Sequence, residues 1–198
     1  MTFVNLVDKK GSQGALGAAL LGSEEARAVV EVVLGPQTDA QQAQQLADFM
    51  RGCGSVPVMV RKDKPGFLAN RMQQALAREA FALIDEGVAS PEDIDAAVRF
   101  GFGFRFLAAG PVMQRDHAGL EVHTAAAASM YPSLAVNAEP ARVLQERVAR
   151  GDLGMKTGQG FFTWTPETQQ AERARYDRLL RQGLDLLASE LPPLNPKD

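Results

Sequence analysis

KDKPGFLANRMQQALAREAFALIDEGVASPEDID, residues 62–95, decides the fold. Phe67, Leu68, Met72, Ala75, Leu76, Ala80, Leu83 and Ile84 recur at the three- and four-residue spacing of one helix face. Pro65 suits a helix's first turn, where its missing N–H would have no partner anyway, and Gly87 suits the stop. The spacing therefore predicts a long helix from Pro65 towards Gly87. Ser90-Pro91-Glu92-Asp93 follows with a cap, a first-turn proline and two acids where the helix dipole favours them. A helix this apolar cannot stand alone, so the stretch reads as the spine of an all-helical domain. One polar pair, Asn70 and Arg71, interrupts its first turns. An amide there can hold a carbonyl oxygen or hydroxyl of a substrate, and a guanidinium can hold a carboxylate or backbone carbonyls. The alternative is a polar tie between helices.

Downstream the chain stays helical. The helix begun at Ser90 ends at Gly101-Phe102-Gly103-Phe104, whose glycines let aromatic rings lie close to backbone. Further helices are expected from Gly110-Pro111 to about His117, from Leu120 to Met130 after a break at Gly119, and from Pro140 to Arg150. GDLGMKTGQGFFTW, residues 151–164, is a glycine-rich turn, with Trp164 and the preceding phenylalanines anchoring it to the core. No strand precedes it and GxxxxGK is absent, so it is no phosphate loop. Thr165-Pro166-Glu167 opens a last helix whose stripe is Leu179, Leu180, Leu184, Leu187 and Leu191.

Upstream, the β-branched run AVVEVVLG from Ala28, closed by Gly35-Pro36, and VPVMV at residues 56–60 read as buried strands. Between them lies a helix begun at Thr38, with Gln41 three residues on, Ala43, Leu46, Ala47 and Met50 on one face, and Gly52 and Gly54 as stops. Strand, helix and strand in about 30 residues is the size of a βαβ unit with parallel strands. Two strands make no stable sheet, so this unit must pack on residues 1–27 or on another chain. Within residues 1–27, Phe3–Val7 reads as a strand, Gly11–Gly17 as a loop and Ala18–Ala28 as a helix. The glycines there follow GxxGxxG rather than GxGxxG, which makes a poor dinucleotide loop.

Composition narrows the function classes. With 45% hydrophobic residues a sizeable core is within reach, and a net charge of −3 with scattered Lys and Arg offers no stripe for nucleic acid. Four glycines break the apolar run after Lys9 and Lys10, and Glu24 and Glu25 follow it, which argues against a membrane span or signal peptide. A single cysteine, Cys53, fits a reducing, cytoplasmic setting, and no Cys, His or acidic cluster has metal-ligand spacing. His117 and His123 read as surface residues. Glu31, inside an apolar strand, has two readings: a buried carboxylate that orients another group, or an edge carboxylate facing water.

Taken together, VVEVV at 29–33, KDKPGFLANR at 62–71, EGVASPEDIDAAVRFGFGFR at 86–105, GPVMQRDHAGLE at 110–121 and LGMKTGQGFF at 153–162 resemble the L-3-hydroxyacyl-CoA dehydrogenase family, in that family's order. The resemblance implies a mainly α fold: residues 62–198 as a helical substrate and dimerisation domain, like that shared with 6-phosphogluconate dehydrogenases. Residues 1–61 would then be a small α/β remnant of a Rossmann domain, of which 1–27 are unlike the family. It implies NAD-dependent oxidation of a 3-hydroxyacyl-CoA, in which a histidine takes the hydroxyl proton, a glutamate holds that histidine, and the asparagine of PGFxxNR contacts the substrate oxygen. By motif position Glu31 resembles the glutamate and Asn70 the asparagine. The histidine's HxxNP position falls near Ala19, and neither that motif nor GxGxxG occurs in this sequence. The expectations are a split or truncated relative, inactive as this chain alone and binding no NAD, and a homodimer open to an acyl-CoA or another hydroxy acid. The alternative is a non-catalytic homodimeric helical module.

Overall fold

A computed structural model describes residues 2–7, 13–19 and 29–192. It forms two compact units, Met1–Met72 with Arg173–Asp198, and Gln73–Glu172. The fold is mainly α, with one small sheet.

The first unit holds that sheet, ordered β1 (Thr2–Val7), β2 (Gln13–Ala19), β3 (Val29–Val33), β4 (Val56–Val60). β2 is antiparallel to both neighbours, whereas β3 and β4 are parallel, joined through α1 (Ala40–Gly52) as the βαβ spacing predicts. Part of the expected loop at Gly11–Gly17 is therefore strand, as are Ala18 and Ala19, where a helix was expected. The rest of that expected helix lies outside the described residues. β2 supplies the pairing that β3 and β4 lack by themselves.

Side chains alternate across a strand, so Val30 and Val32 face α1 and pack against Ala43 and Ala47, with Leu46 and Met50 beside them. Residues of the opposite parity also lose water: Val33 is buried and Glu31 is 7% exposed. Burial on both faces explains why the strand reads as an unbroken apolar run. The cap of α1 is Asp39, which accepts from the N–H groups of Gln41 and Gln42, and not Thr38. The Thr38 hydroxyl instead accepts from Gly35 N–H, closing the turn after β3.

The long helix, α2 (Ala69–Asp85), starts later than Pro65. Pro65 lies in a preceding turn, closed by Phe67 N–H donating to Lys64 O at 2.9 Å. Gly87, at φ +70°, ends the helix as its sequence suggests.

In the second unit, α2 acts as a spine by gripping three separate segments. Glu79 accepts from Ala135 N–H at 2.8 Å. Phe81 stacks on Phe161 of the glycine-rich turn, ring centroids 5.6 Å apart, and the Arg147 guanidinium lies 4.0 Å from the Phe161 centroid. Asp85 accepts from Arg142 N–H and Val143 N–H, both at 2.7 Å, and so caps α6 (Arg142–Arg150), whose own preceding residue, Ala141, has no side-chain acceptor.

Ser90 caps α3 (Pro91–Ala96) as expected, its hydroxyl accepting from Asp93 N–H. The helical run breaks at Gly101, as expected: inside the π-type turn that follows (Ala97–Phe102) Gly101 takes φ −93° and ψ −112°, outside the helical range, and a 3-10 turn (Gly103–Leu107) packs closely behind it. Gly103 permits this: a Cβ there would stand 2.5 Å from Val98 O. Phe102 and Phe106 pair edge-to-face, but Phe100, Phe104 and Phe106 are all exposed, so only Phe102 of these rings is partly buried. α4 (Met113–Ala118) and α5 (Leu120–Met130) flank Gly119. Thr165 and Thr168 exchange side-chain to backbone hydrogen bonds at the start of α7 (Pro166–Leu186), a reciprocal cap.

A site at the start of the long helix

Of the sequence's candidates, Glu31 lies against the backbone of Leu68 and Ala69, the two residues before Asn70. β3 lies between β2 and β4, so Glu31 is interior to the sheet, paired in register with Gly17 and Val58. The edge reading, with the carboxylate facing water, is overturned by that placement and by its burial. The strand's alternation turns Glu31 away from α1 and towards the first residues of α2. There one carboxylate oxygen accepts from Ala69 N–H at 2.8 Å and the other from Leu68 N–H at 3.1 Å.

These are two of the donors that a helix start leaves without intrahelical partners, and a carboxylate meets the positive end of the helix dipole there. Leu68, which precedes the helix, has no acceptor in its side chain. Glu31 therefore supplies from a strand the cap that the local sequence lacks. Asn70, half-buried, is the residue after Ala69.

The turn before α2 carries strain. Gly66 sits at φ +81° and Phe67 at φ +47°. A left-handed non-glycine residue costs about 1–2 kcal/mol, and Glu31 and Arg71 hold the turn against it. Arg71 donates to Pro65 O at 3.0 Å, so its guanidinium closes the turn instead of waiting for a carboxylate. A Cβ on Gly66 would lie 3.2 Å from Arg71 Cγ, which ties the arginine's path to the glycine.

Other candidates fall elsewhere. Ala19, near the place where the resemblance sets the family histidine, ends β2 paired with Val29. Gly14 and Gly17 lie within a strand antiparallel to both neighbours, not in a loop leading from a strand into a helix. With no GxGxxG in the sequence either, the described residues do not fit a dinucleotide pyrophosphate. No cluster of three or more His, Cys, Asp or Glu able to hold a metal occurs among the described residues. His117 is exposed, as expected, but His123 is only partly so: its Nε2 is shut off from water and lacks a hydrogen-bond partner among the described residues. No helix among those residues is long and apolar enough to cross a membrane.

The sequence reading missed the Leu68 and Ala69 amides as the carboxylate's partners. One local signal pointed that way: a helix start with no Ser, Thr, Asp or Asn in front of it.

Comparison with known proteins now bears on this geometry. Residues 66–164 match the model of the 3-hydroxyacyl-CoA dehydrogenase C-terminal domain, half of the 198 residues. Among curated proteins, the chain is 37% identical over 150 residues to 5-formyl-3-hydroxy-2-methylpyridine 4-carboxylate 5-dehydrogenase of Mesorhizobium japonicum, covering 74% of this chain and 48% of that protein. It is 36% identical over 143 residues to 3-hydroxyadipyl-CoA dehydrogenase of Escherichia coli, covering 71% of this chain and 29% of that one. The chain thus spans about half or less of the length of these relatives. Among solved structures, the 5-formyl-3-hydroxy-2-methylpyridine 4-carboxylic acid 5-dehydrogenase, described as an NAD+-dependent dismutase, superposes with a TM-score of 0.80 at 32% identity, over 86% of this chain and 56% of that one. The turn and helix that carry Asn70 fall inside the matched domain, and the chain belongs to the 3-hydroxyacyl-CoA dehydrogenase family of oxidoreductases.

Proposed function

We propose that this chain is the substrate-binding and dimer-forming portion of an NAD-dependent 3-hydroxyacyl-CoA dehydrogenase-like oxidoreductase. Residues 62–198 serve as the substrate and dimerisation domain, and residues 1–61 correspond to the end of a dinucleotide-binding domain. The observation that carries the reading is the joining of Glu31 to the backbone immediately before Asn70. A carboxylate from outside the matched residues thus holds the backbone of the two residues before Asn70, at a helix start inside the matched domain. Asn70 offers an N–H donor to the oxygen of a 3-hydroxy or 3-oxo group. NAD, when supplied with its own domain, provides the hydride acceptor.

The proton acceptor of the family reaction has no counterpart at Ala19, so the chain by itself does not dehydrogenate. The homodimer is supported by α2 and α7, which bury no residue within this chain although Met72 and Leu76, and Tyr176 and Leu179, form apolar faces on them. The names of the relatives support an acyl-CoA or another hydroxy acid as the ligand class.

Titration of the purified chain with acetoacetyl-CoA and with NAD+, alongside sedimentation, tests the proposal. Binding of acetoacetyl-CoA to a dimer, without NAD+ reduction when 3-hydroxybutyryl-CoA is supplied, is expected. A stable dimer that binds neither compound favours instead a non-catalytic helical module. Turnover by the chain alone sinks the claim of inactivity.

A further inference from the structure

We infer that Glu31 is the positioning residue for Asn70: by holding the amides of Leu68 and Ala69 it sets the first turn of α2, and through that turn the direction of the Asn70 side chain. Three observations converge. The helix has no cap of its own, and both carboxylate oxygens are engaged, one on each amide. The preceding residues, Gly66 and Phe67, are both left-handed, a conformation that local preference would not keep for a phenylalanine. Arg71 braces the same turn through Pro65 O, so Asn70 lies between two held neighbours.

The base of this arrangement is rigid. Glu31 stands on an interior strand with buried residues on either side, Val30 at 1% and Val32 at 3% exposure. A side chain anchored there transmits the position of the sheet to the helix start. Such a role needs no histidine, which accounts for a buried carboxylate in a chain without the family's base. The consequence for function rests on the proposed contact between Asn70 and substrate, whereas the positioning itself does not.

The experiment uses the full chain labelled with 15N and the variants Glu31→Ala, Glu31→Gln and Asp85→Asn, the last perturbing an equivalent carboxylate cap on α6. Hydrogen exchange of the Leu68 and Ala69 amides and the shifts of the Asn70 side-chain NH2 are the readouts. In Glu31→Ala both amides are expected to exchange about tenfold faster or more, with displaced Asn70 NH2 resonances. Glu31→Gln keeps one carbonyl oxygen, so only one of the two amides is expected to lose protection, and this variant carries the test if the alanine variant does not fold. Asp85→Asn is expected to move neither readout.

Unchanged protection at both amides in a folded Glu31 variant overturns the positioning, as does an Asn70 NH2 that stays in place while the amides open. Acetoacetyl-CoA added to the wild-type chain separates the two layers. If it leaves Asn70 unperturbed, the substrate contact falls, while exchange at Leu68 and Ala69 still decides the positioning.

Discussion

Replacing Asp85 by alanine strips the start of α6 of both its side-chain hydrogen bonds. The carboxylate is 19% exposed and accepts from Arg142 N–H and Val143 N–H, each at 2.7 Å. A hydrogen bond to a charged group is worth about 1.5–3 kcal/mol, and loss of a helix cap costs about 0.5–2 kcal/mol. The two bonds share one carboxylate and are not independent, so a loss of about 2–3 kcal/mol is expected. The Arg142 side chain adds less, because it lies 3.9 Å from the carboxylate, donates at 3.1 Å to the Asp85 backbone carbonyl and not to the side chain, and is 70% exposed. Asp85→Asn keeps one acceptor oxygen, and about half of that loss is expected.

Urea unfolding followed by circular dichroism measures this, at one fixed protein concentration so that any self-association weighs equally on every variant. With an m-value of about 2 kcal/mol/M for a chain of this size, the alanine variant should unfold at a midpoint lower by about 1 M. Arg142→Ala should shift it by less than about 0.3 M. Equal shifts for Asp85→Ala and Arg142→Ala would refute the reasoning, since the ion pair and not the helix cap would then be the operative contact. An Asp85→Ala midpoint unchanged from wild type would remove the cap from the account altogether.

Two further predictions follow from the same unit and from α7. Phe161→Ala loses both the stack on Phe81 and the Arg147 contact, and because Phe161 is only partly buried about 2–3 kcal/mol is expected; Phe161→Leu, which keeps apolar volume, should lose about 1 kcal/mol by the same urea measurement. The Thr165 hydroxyl first, and then the backbone N–H of Glu167 itself, hold the Glu167 carboxyl below the usual carboxylate range against a smaller desolvation effect. A depressed folded value means that this stabilisation is present above the unfolded value and is lost as pH falls through the folded one. Thr165→Ala should move the Glu167 midpoint upward in an NMR titration, and an unmoved midpoint would remove the hydroxyl as the main cause.

Much of the architecture was legible because its signals are local. The βαβ unit declares itself in two β-branched runs around an amphipathic helix, and the starts at Ser90 and Thr165 carry their own hydroxyl caps. Where the reading slipped, the competing interaction was also within a few residues. Asp39 took the cap because the Thr38 hydroxyl was occupied by Gly35 N–H. Pro65 suits a helix start, but the left-handed Gly66 and Phe67 after it cannot continue a right-handed helix, so α2 begins at Ala69. His123 is placed partly inside by its helix, which a histidine's mixed polarity does not reveal.

The candidate site divides along the same line. Residue identity was enough to mark Glu31 as a costly carboxylate in an apolar strand and Asn70 as the amide of a family motif. What the carboxylate is bonded to could not be read, because its partners are 37 and 38 residues away and are backbone groups, which leave no trace in side-chain composition. The same holds for Asp85, whose partners on α6 lie 57 and 58 residues on. The sequence by itself determined the helical class, the family, most element boundaries and the absence of the family's histidine motif. Only the tertiary structure decided that α2 and α6 start on carboxylates borrowed from other elements, since a cap acts through space on N–H groups that every residue except proline carries alike.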